Sequence, residues 1–149
     1  MVIQESLLCV RSNLENGRLI LNQADQPEYL MQGPSVLRVR FFREESGREL
    51  VREWLKALPT QERRKIGADI RSIQFRWPVG LPWARPMGEG MWEVRSNLKD
   101  RIARILFIIE GGEMILLHGI IKKTEKTPPS DLALARAKAR KFREQAQRK

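Results

Sequence analysis

A chain of 149 residues is long enough to bury one hydrophobic core but short for two. Its formal net charge of +10 suits a polyanionic partner such as nucleic acid, although a charge run is also typical of a solvated helix face. One cysteine and one histidine exclude an internal disulfide and leave too few ligands for the usual zinc site. We therefore expect no metal and no cofactor.

The sequence contains no signal for export or for membrane insertion. The opening segment lacks a basic region followed by a sustained apolar run, which a signal peptide needs. The longest apolar stretches, at 105–109 and 114–121, fall well below the ~20 residues of a membrane helix. We expect a cytoplasmic protein with no membrane partner.

Residues 1–34 are interpreted as a leader, because asparagine, glycine and proline interrupt any helical or strand period. We expect this leader to be poorly ordered or to be a mis-assigned start. Met31 lies just before the first convincing strand, so one hypothesis places the natural start there. The folded domain is then expected to occupy residues 35–149.

The first predicted elements are a strand and two helices. Alternating residues predict a strand at 36–42. Ser46 and Glu49 have the spacing of a capping box, which predicts a helix that ends at Pro59. Thr60 is the predicted cap of a second helix that runs to residue 77.

The second half of the sequence is predicted to form an irregular link, three strands and a helix. Prolines and glycines make residues 78–90 the irregular link. Strands are predicted at 91–96, 101–109 and 114–121, and a Gly-Gly turn joins the last two. A C-terminal helix follows Pro128 and Pro129. The predicted fold class is α+β, in which a helical pair packs on an antiparallel sheet formed by one strand and a three-strand meander.

Two arginines on neighbouring strands are the first candidates for chemistry. Arg104 interrupts an apolar strand, where an unpaired guanidinium would cost several kcal/mol. It therefore either pairs with a buried carboxylate, for which Glu93 is a candidate, or opens into a polar cleft. Arg95 on the preceding strand would allow two guanidiniums to bind one anion.

The segment 118–127 is the second candidate. Lys122, Lys123 and Lys126 offer charges for phosphate groups, and Thr124 offers a hydroxyl. His118 is either a core residue or a proton-transfer group, since imidazole ionises near neutral pH.

Tryptophans form a third group. Trp54 and Trp77 lie on helical stripes and are expected to pack inward, whereas Trp83 or Trp92 is a candidate for stacking on a base.

Four stretches together resemble a known family. They are Arg85-Pro-Met-Gly88, Met91-Trp-Glu-Val-Arg95, Arg101-Ile-Ala-Arg-Ile-Leu-Phe107 and Leu117-His-Gly-Ile-Ile-Lys-Lys-Thr-Glu-Lys-Thr-Pro128. They resemble the phage-derived, HigB-like branch of the RelE/ParE toxin superfamily, over residues 36–142. The resemblance implies a RelE-like fold and the toxin of a type II toxin–antitoxin pair. Such toxins cut mRNA in the ribosomal A site, and their antitoxins in this branch usually carry a helix-turn-helix.

The resemblance also implies a site. Its positions correspond to Glu93, Arg95 and Arg104, with Lys122, Lys123 and Lys126 after the last strand. Because RNA supplies its own 2′-hydroxyl nucleophile, no metal is required. The arginines are assigned to charge stabilisation, and the lysines to phosphate binding or leaving-group protonation.

The general base is left open between Glu93 and His118, because this chain has Glu93 in place of a lysine and lacks a C-terminal tyrosine. Arg136 and Arg140 of the basic C-terminal helix are expected to hold ribosomal RNA, together with Lys122, Thr124 and Lys126. Two alternatives are a ParE-like gyrase poison and a non-enzymatic nucleic-acid-binding module of prophage origin.

Overall fold

A computed structural model describes residues 14–15, 18–19, 36–122 and 126–148. The chain divides into two compact units, Met1–Ser35 and Val36–Lys149. In the first unit, β1 (Leu14–Glu15) pairs antiparallel with β2 (Arg18–Leu19). The other predictions for residues 1–34 lie outside the described residues.

The second unit consists of a five-stranded sheet and three helices. Its elements are β3 (Arg38–Phe41), α1 (Leu50–Lys56), α2 (Thr60–Arg76), β4 (Arg85–Gly88), β5 (Met91–Asn97), β6 (Ile102–Glu110), β7 (Glu113–Lys122) and α3 (Pro129–Gln147). The strand order is β3-β7-β6-β5-β4. The α+β class is confirmed, and the RelE-like arrangement stays a prediction. No helix in the described ranges has the length and apolar character needed to cross a membrane.

The prediction of a wholly antiparallel sheet is wrong, because β3 runs parallel to β7. The remaining neighbours, β4 to β7, form an antiparallel meander. Tight turns set the direction of each strand in a meander, whereas a connection through two helices returns the chain in either direction. The sequence pattern of β3 therefore carries no information on its orientation.

The predicted irregular link at 78–90 contains a strand that the sequence analysis missed. Pro86 and two nearby glycines argue against a strand, but β4 is an edge strand, where proline is tolerated. Its register with β5 shifts between Pro86 and Gly88. The turn into β5 has positive φ at Glu89 (57°) and Gly90 (74°).

The predicted capping box of α1 is wrong. Glu49 occupies the N-cap and makes no side-chain capping hydrogen bond, and Ser46 Oγ accepts a hydrogen bond from the Arg48 backbone N–H at 3.4 Å. Glu49 instead pairs with Arg43 at 3.1 Å and Arg52 at 3.4 Å. The hydrogen bond from Arg43 lowers the pKa of the Glu49 carboxyl below its usual value.

Thr60 is also not a cap, since the N-cap of α2 is Pro59 and Thr60 is the first helical residue. Its hydroxyl accepts a hydrogen bond from Arg63 at 3.3 Å. The start of α3 agrees with the prediction, with Pro128 at the N-cap and Pro129 at the first helical position.

Two hydrophobic clusters lie on opposite faces of the sheet, because alternate strand residues point to opposite sides. One face packs against α1 and α2, through Val51, Ile66, Ile70, Ile73, Val94, Ile105, Phe107 and Leu116. The other face packs against α3, through Met91, Leu106, Ile108, Ile115, Leu117, Ala135 and Ala139. The helices on the two faces leave little of the central strands β6 and β7 open to solvent.

A β-bulge interrupts the alternation in β7. Leu116 lies opposite Phe107, but His118 rather than Leu117 lies opposite Leu106. An extra residue exchanges the two faces of every residue that follows it. His118 therefore joins Leu117 on the α3 face, and the residue after His118 turns toward α1.

Gly119 is that next residue, and it lies directly under the Trp54 ring. A Cβ at this position would be 2.6 Å from two carbons of the Trp54 ring. Real carbon contacts are much longer, so only glycine allows the strand and the indole to approach this closely. The His118-Gly119 dipeptide thus combines the change of face with a close approach to α1.

We expect Gly119→Ala to lower the free energy of unfolding by about 1–3 kcal/mol through overpacking against Trp54. The matched control is Gly67→Ala within α2, where an added Cβ meets nothing within 4 Å. The control is expected to raise stability by about 0.5–1 kcal/mol, since alanine favours a helix interior. Urea unfolding of both variants measures the difference, and equal stabilities would contradict this account of Gly119.

Candidate active site

Two rows of side chains run across the α3 face of the sheet. Arg95 and Arg104 are Cα partners on β5 and β6, and Ile120 on β7 continues their row. The neighbouring row contains Glu93, Leu106 and His118. We call Glu93, Arg95, Arg104 and His118 the polar cluster. Strand pairing alone brings these predicted site residues to one face.

The start of α3 is attached to this face at two points. The Thr127 hydroxyl donates a hydrogen bond to Glu93 Oε2 on β5. Four residues later, Asp131 Oδ1 lies 2.8 Å from His118 Nε2 on β7. Because β6 lies between β5 and β7, the start of α3 spans the part of β6 that contains Arg104.

Glu93 is a buried carboxylate whose two oxygens both have partners. Its side chain has 0% exposure, and Oε1 accepts a hydrogen bond from Arg95 Nε at 2.6 Å. Oε2 accepts the hydrogen bond from the buried Thr127. A buried charge is stable only when it is paired and hydrogen-bonded in this way. Glu93 therefore orients Arg95 and holds the chain that enters α3.

Arg104 is fully buried, at 0% exposure. The sequence left two environments open for Arg104, a buried one and a polar cleft. The structure places this side chain in the buried environment, out of reach of solvent. Arg95 is different, because 28% of its side chain is exposed. Of the two arginines, Arg95 is therefore the one that a ligand can contact.

Lysines border the polar cluster. Lys122 ends β7, is 48% exposed, and has Nζ 3.7 Å from Asp131 Oδ2. Lys126 is exposed just before α3. The predictions for Lys123 and Thr124 lie outside the described residues. The accessible charges near the start of α3 are suited to binding an anion.

The sequence analysis missed Asp131 as a member of the site. An acidic residue in the first turn of a helix is ordinary, because it complements the helix dipole. Thr127 precedes the N-cap Pro128, so no helical spacing in the sequence relates it to Asp131, and only the folded start of α3 brings both side chains to the sheet.

The other predicted RNA-binding arginines lie on α3. Arg136 donates a hydrogen bond to the Met87 carbonyl at 3.0 Å and pairs with Glu89 at 3.4 Å. It therefore holds α3 against the β4–β5 hairpin. Arg140 is exposed.

Of the candidate tryptophans, Trp92 packs edge-on against Trp77, with ring centroids 5.1 Å apart. Trp83 is 41% exposed, and the Arg76 guanidinium lies 4.6 Å from its ring centroid. Of the two candidates for stacking on a base, Trp83 is therefore the more exposed, and Trp92 is half-buried.

Within the described ranges, no three His, Cys, Asp or Glu side chains are placed to hold a metal ion. The candidate site on the α3 face contains arginine and lysine cations, the His118 imidazole, and the Glu93 and Asp131 carboxylates.

The chain is a small basic α+β protein in which arginine, histidine and glutamate side chains share one face of a mixed sheet. It belongs to the Gp49-like family of phage-derived proteins (DUF891), whose model matches residues 53–140. That family is of the RelE toxin type and is broadly associated with the toxins of toxin–antitoxin systems. The match extends from α1 into α3 and includes the whole polar cluster.

The chain is also similar to one curated protein over a short stretch. It is 40% identical over 50 residues to a cytidylyl-2-hydroxyethylphosphonate methyltransferase from Streptomyces wedmorensis. The match covers 30% of this chain and 9% of that protein. Such a short segment carries no inference about activity.

We expect Thr127→Val to lower the free energy of unfolding by about 1.5–3 kcal/mol, because the buried Glu93 carboxylate loses a hydrogen bond. Thr127→Ser keeps the hydroxyl and is expected to cost no more than the ~0.8 kcal/mol of one buried carbon. Urea unfolding compares the two variants. If serine proves as destabilising as valine, the hydroxyl is not the group that matters.

Proposed function

We propose that this chain is the toxin of a type II toxin–antitoxin system and that it cleaves mRNA on the ribosome, in the cytoplasm, without a metal. The observation that carries the proposal is the register of β5 and β6, which pairs Arg95 with Arg104 beside Glu93 and His118. Membership of a family associated with such toxins supports it. The HigB-like branch is part of the proposal.

The chemistry needs positioning, a proton acceptor and cations. The 2′-oxygen of the RNA attacks the adjacent phosphorus, a 2′,3′-cyclic phosphate forms, and the 5′-oxygen leaves with a proton. Negative charge grows on the phosphate oxygens during this step. Fixed cations stabilise that charge most strongly where water is scarce.

The exposed fractions of the cationic side chains support different roles for them in the proposed reaction. Arg95 contacts the phosphate, because it is partly exposed and Glu93 orients its guanidinium. Arg104 lies below the surface, so it contributes positive potential rather than contact. Lys122, with Lys126 and the adjacent Lys123, binds phosphate groups or protonates the leaving oxygen. Glu93 is a positioning residue rather than the base, because both of its oxygens are engaged.

Further contacts would hold the ribosome. Arg140 and the basic residues around it on α3 are suited to ribosomal RNA backbone, with a salt-dependent affinity. Arg136 adds a positive charge to α3 and, through its contacts with Met87 and Glu89, holds this helix against the β4–β5 hairpin. A cognate antitoxin that carries a helix-turn-helix is the proposed partner that neutralises the toxin.

The complete burial of Arg104 favours one alternative, a non-enzymatic nucleic-acid-binding module of prophage origin. In that case the buried charges only support the sheet, and the exposed lysines bind RNA without cleaving it. Transcript mapping separates the nuclease from this module and from a ParE-like gyrase poison, because neither alternative produces new RNA 5′ ends.

The test is induced expression followed by mapping of transcript 5′ ends, with and without an inhibitor of translation initiation. We expect growth arrest and new 5′ ends within coding regions, and we expect the inhibitor to abolish them. Arrest without new 5′ ends, or new ends that persist without translation, would contradict the ribosome-dependent nuclease.

We expect Arg95→Ala to reduce cleavage by about a hundredfold or more, as is usual when an electrostatic stabiliser is lost. The matched control is Arg101→Ala. Arg101 is 35% exposed and pairs with Glu62 of α2 at 2.5 Å, at the α2 side of the sheet. Cleavage in a purified translation system is measured for both variants, with thermal unfolding as the check on folding. Equal losses would show that the effect is not specific to Arg95.

A further inference from the structure

We propose that His118 and Asp131 form the proton-accepting pair for RNA cleavage, with His118 as the catalytic base and Asp131 as its positioning residue. This inference rests on the proposed function. It names the general base, a role that we do not assign to Glu93 because both of its oxygens are engaged. It is carried by the bulge in β7, by the contact between the two side chains, and by the place of His118 within the polar cluster.

The bulge is what brings His118 to the site. In a regular strand, His118 would lie opposite Ile105 and face α1 and α2, where Trp54 packs. The extra residue moves His118 opposite Leu106, on the same face as Arg95 and Arg104. Bulges that re-aim a side chain are common next to active sites.

The contact with Asp131 selects one tautomer of the imidazole. An ionised carboxylate only accepts hydrogen bonds, so Nε2, at 2.8 Å from Asp131 Oδ1, carries the proton. In the neutral ring Nδ1 then holds the lone pair and accepts a proton. When His118 gains that proton, the Asp131 carboxylate stabilises the resulting imidazolium.

The surroundings of the pair suit this role. The side chains of His118 and Asp131 are 17% and 18% exposed, so a substrate atom reaches them in a site with little water. Lys122 Nζ lies 3.7 Å from the second oxygen of Asp131 and holds that carboxylate from the other side. Asp131 is fixed by the first turn of α3, and Thr127, two residues before that helix, is hydrogen-bonded to Glu93.

In the proposed step, the 2′-hydroxyl proton moves to His118 Nδ1 while the 2′-oxygen forms a bond to phosphorus. The bond from phosphorus to the 5′-oxygen breaks, and the 5′-oxygen takes a proton from a lysine ammonium such as that of Lys122. The products are a 2′,3′-cyclic phosphate and a free 5′-hydroxyl. His118 and the lysine then return to their starting states by exchange with water.

The test uses the full chain, with single-turnover cleavage of a programmed mRNA in a purified translation system. His118→Gln and His118→Ala are expected to lose about a hundredfold or more in rate, and added imidazole is expected to restore part of the alanine variant's activity. Asp131→Asn is expected to lower the maximal single-turnover rate at least tenfold with the half-saturating protein concentration unchanged, because the new amide donates to Nε2 and selects the wrong tautomer.

The control is Asp69→Asn, which removes an ion pair with Lys65 at 2.8 Å on α2 and is expected to keep wild-type activity. A glutamine variant that cleaves within about threefold of wild type would overturn the proposal. So would a folded alanine variant that imidazole does not restore. If the alanine variant does not fold, the glutamine and asparagine variants decide the outcome. Wild-type protein that cuts no RNA, with or without ribosomes, refutes the proposed function itself.

Discussion

The extra residue in β7 decides which face the end of that strand presents. Without the bulge at Leu117, His118 would point toward α1 and Gly119 would not lie under Trp54. With it, the imidazole lies beneath the start of α3, and the Trp54 ring packs directly against the strand backbone. A change in strand register moves every later side chain of β7 to the opposite face, so each of these residues must suit its new surroundings. Gly119 is where that requirement is strictest.

The attachment of α3 depends on the same face. Thr127 is bonded to Glu93 on β5, and Asp131 contacts His118 on β7, so two polar contacts hold the helix start across β6. The apolar contacts of the helix further along, such as Ala135 and Ala139, are non-directional and do not set its position as closely. Folding of α3 onto the sheet therefore assembles the candidate site at the same time.

The extent to which the sequence predicted the site differs from residue to residue. Arg95 and Arg104 lie on one face, as alternation within two adjoining strands predicts, whereas their binding of one anion stays a prediction. The sequence left Arg104 open between a buried environment and a polar cleft, and only the tertiary structure decides for burial. Asp131 was missed, because a helix-start carboxylate has the same sequence signature whether it faces solvent or an imidazole.

The sequence by itself determined the α+β class and most of the strands and helices, because periodicity and turn residues are local properties. Only the tertiary structure decided the parallel pairing of β3, the edge strand β4 and the bulge before Gly119. These features depend on which distant segments meet. The free energy of such contacts comes from packing and pairing between segments, and no local pattern records it.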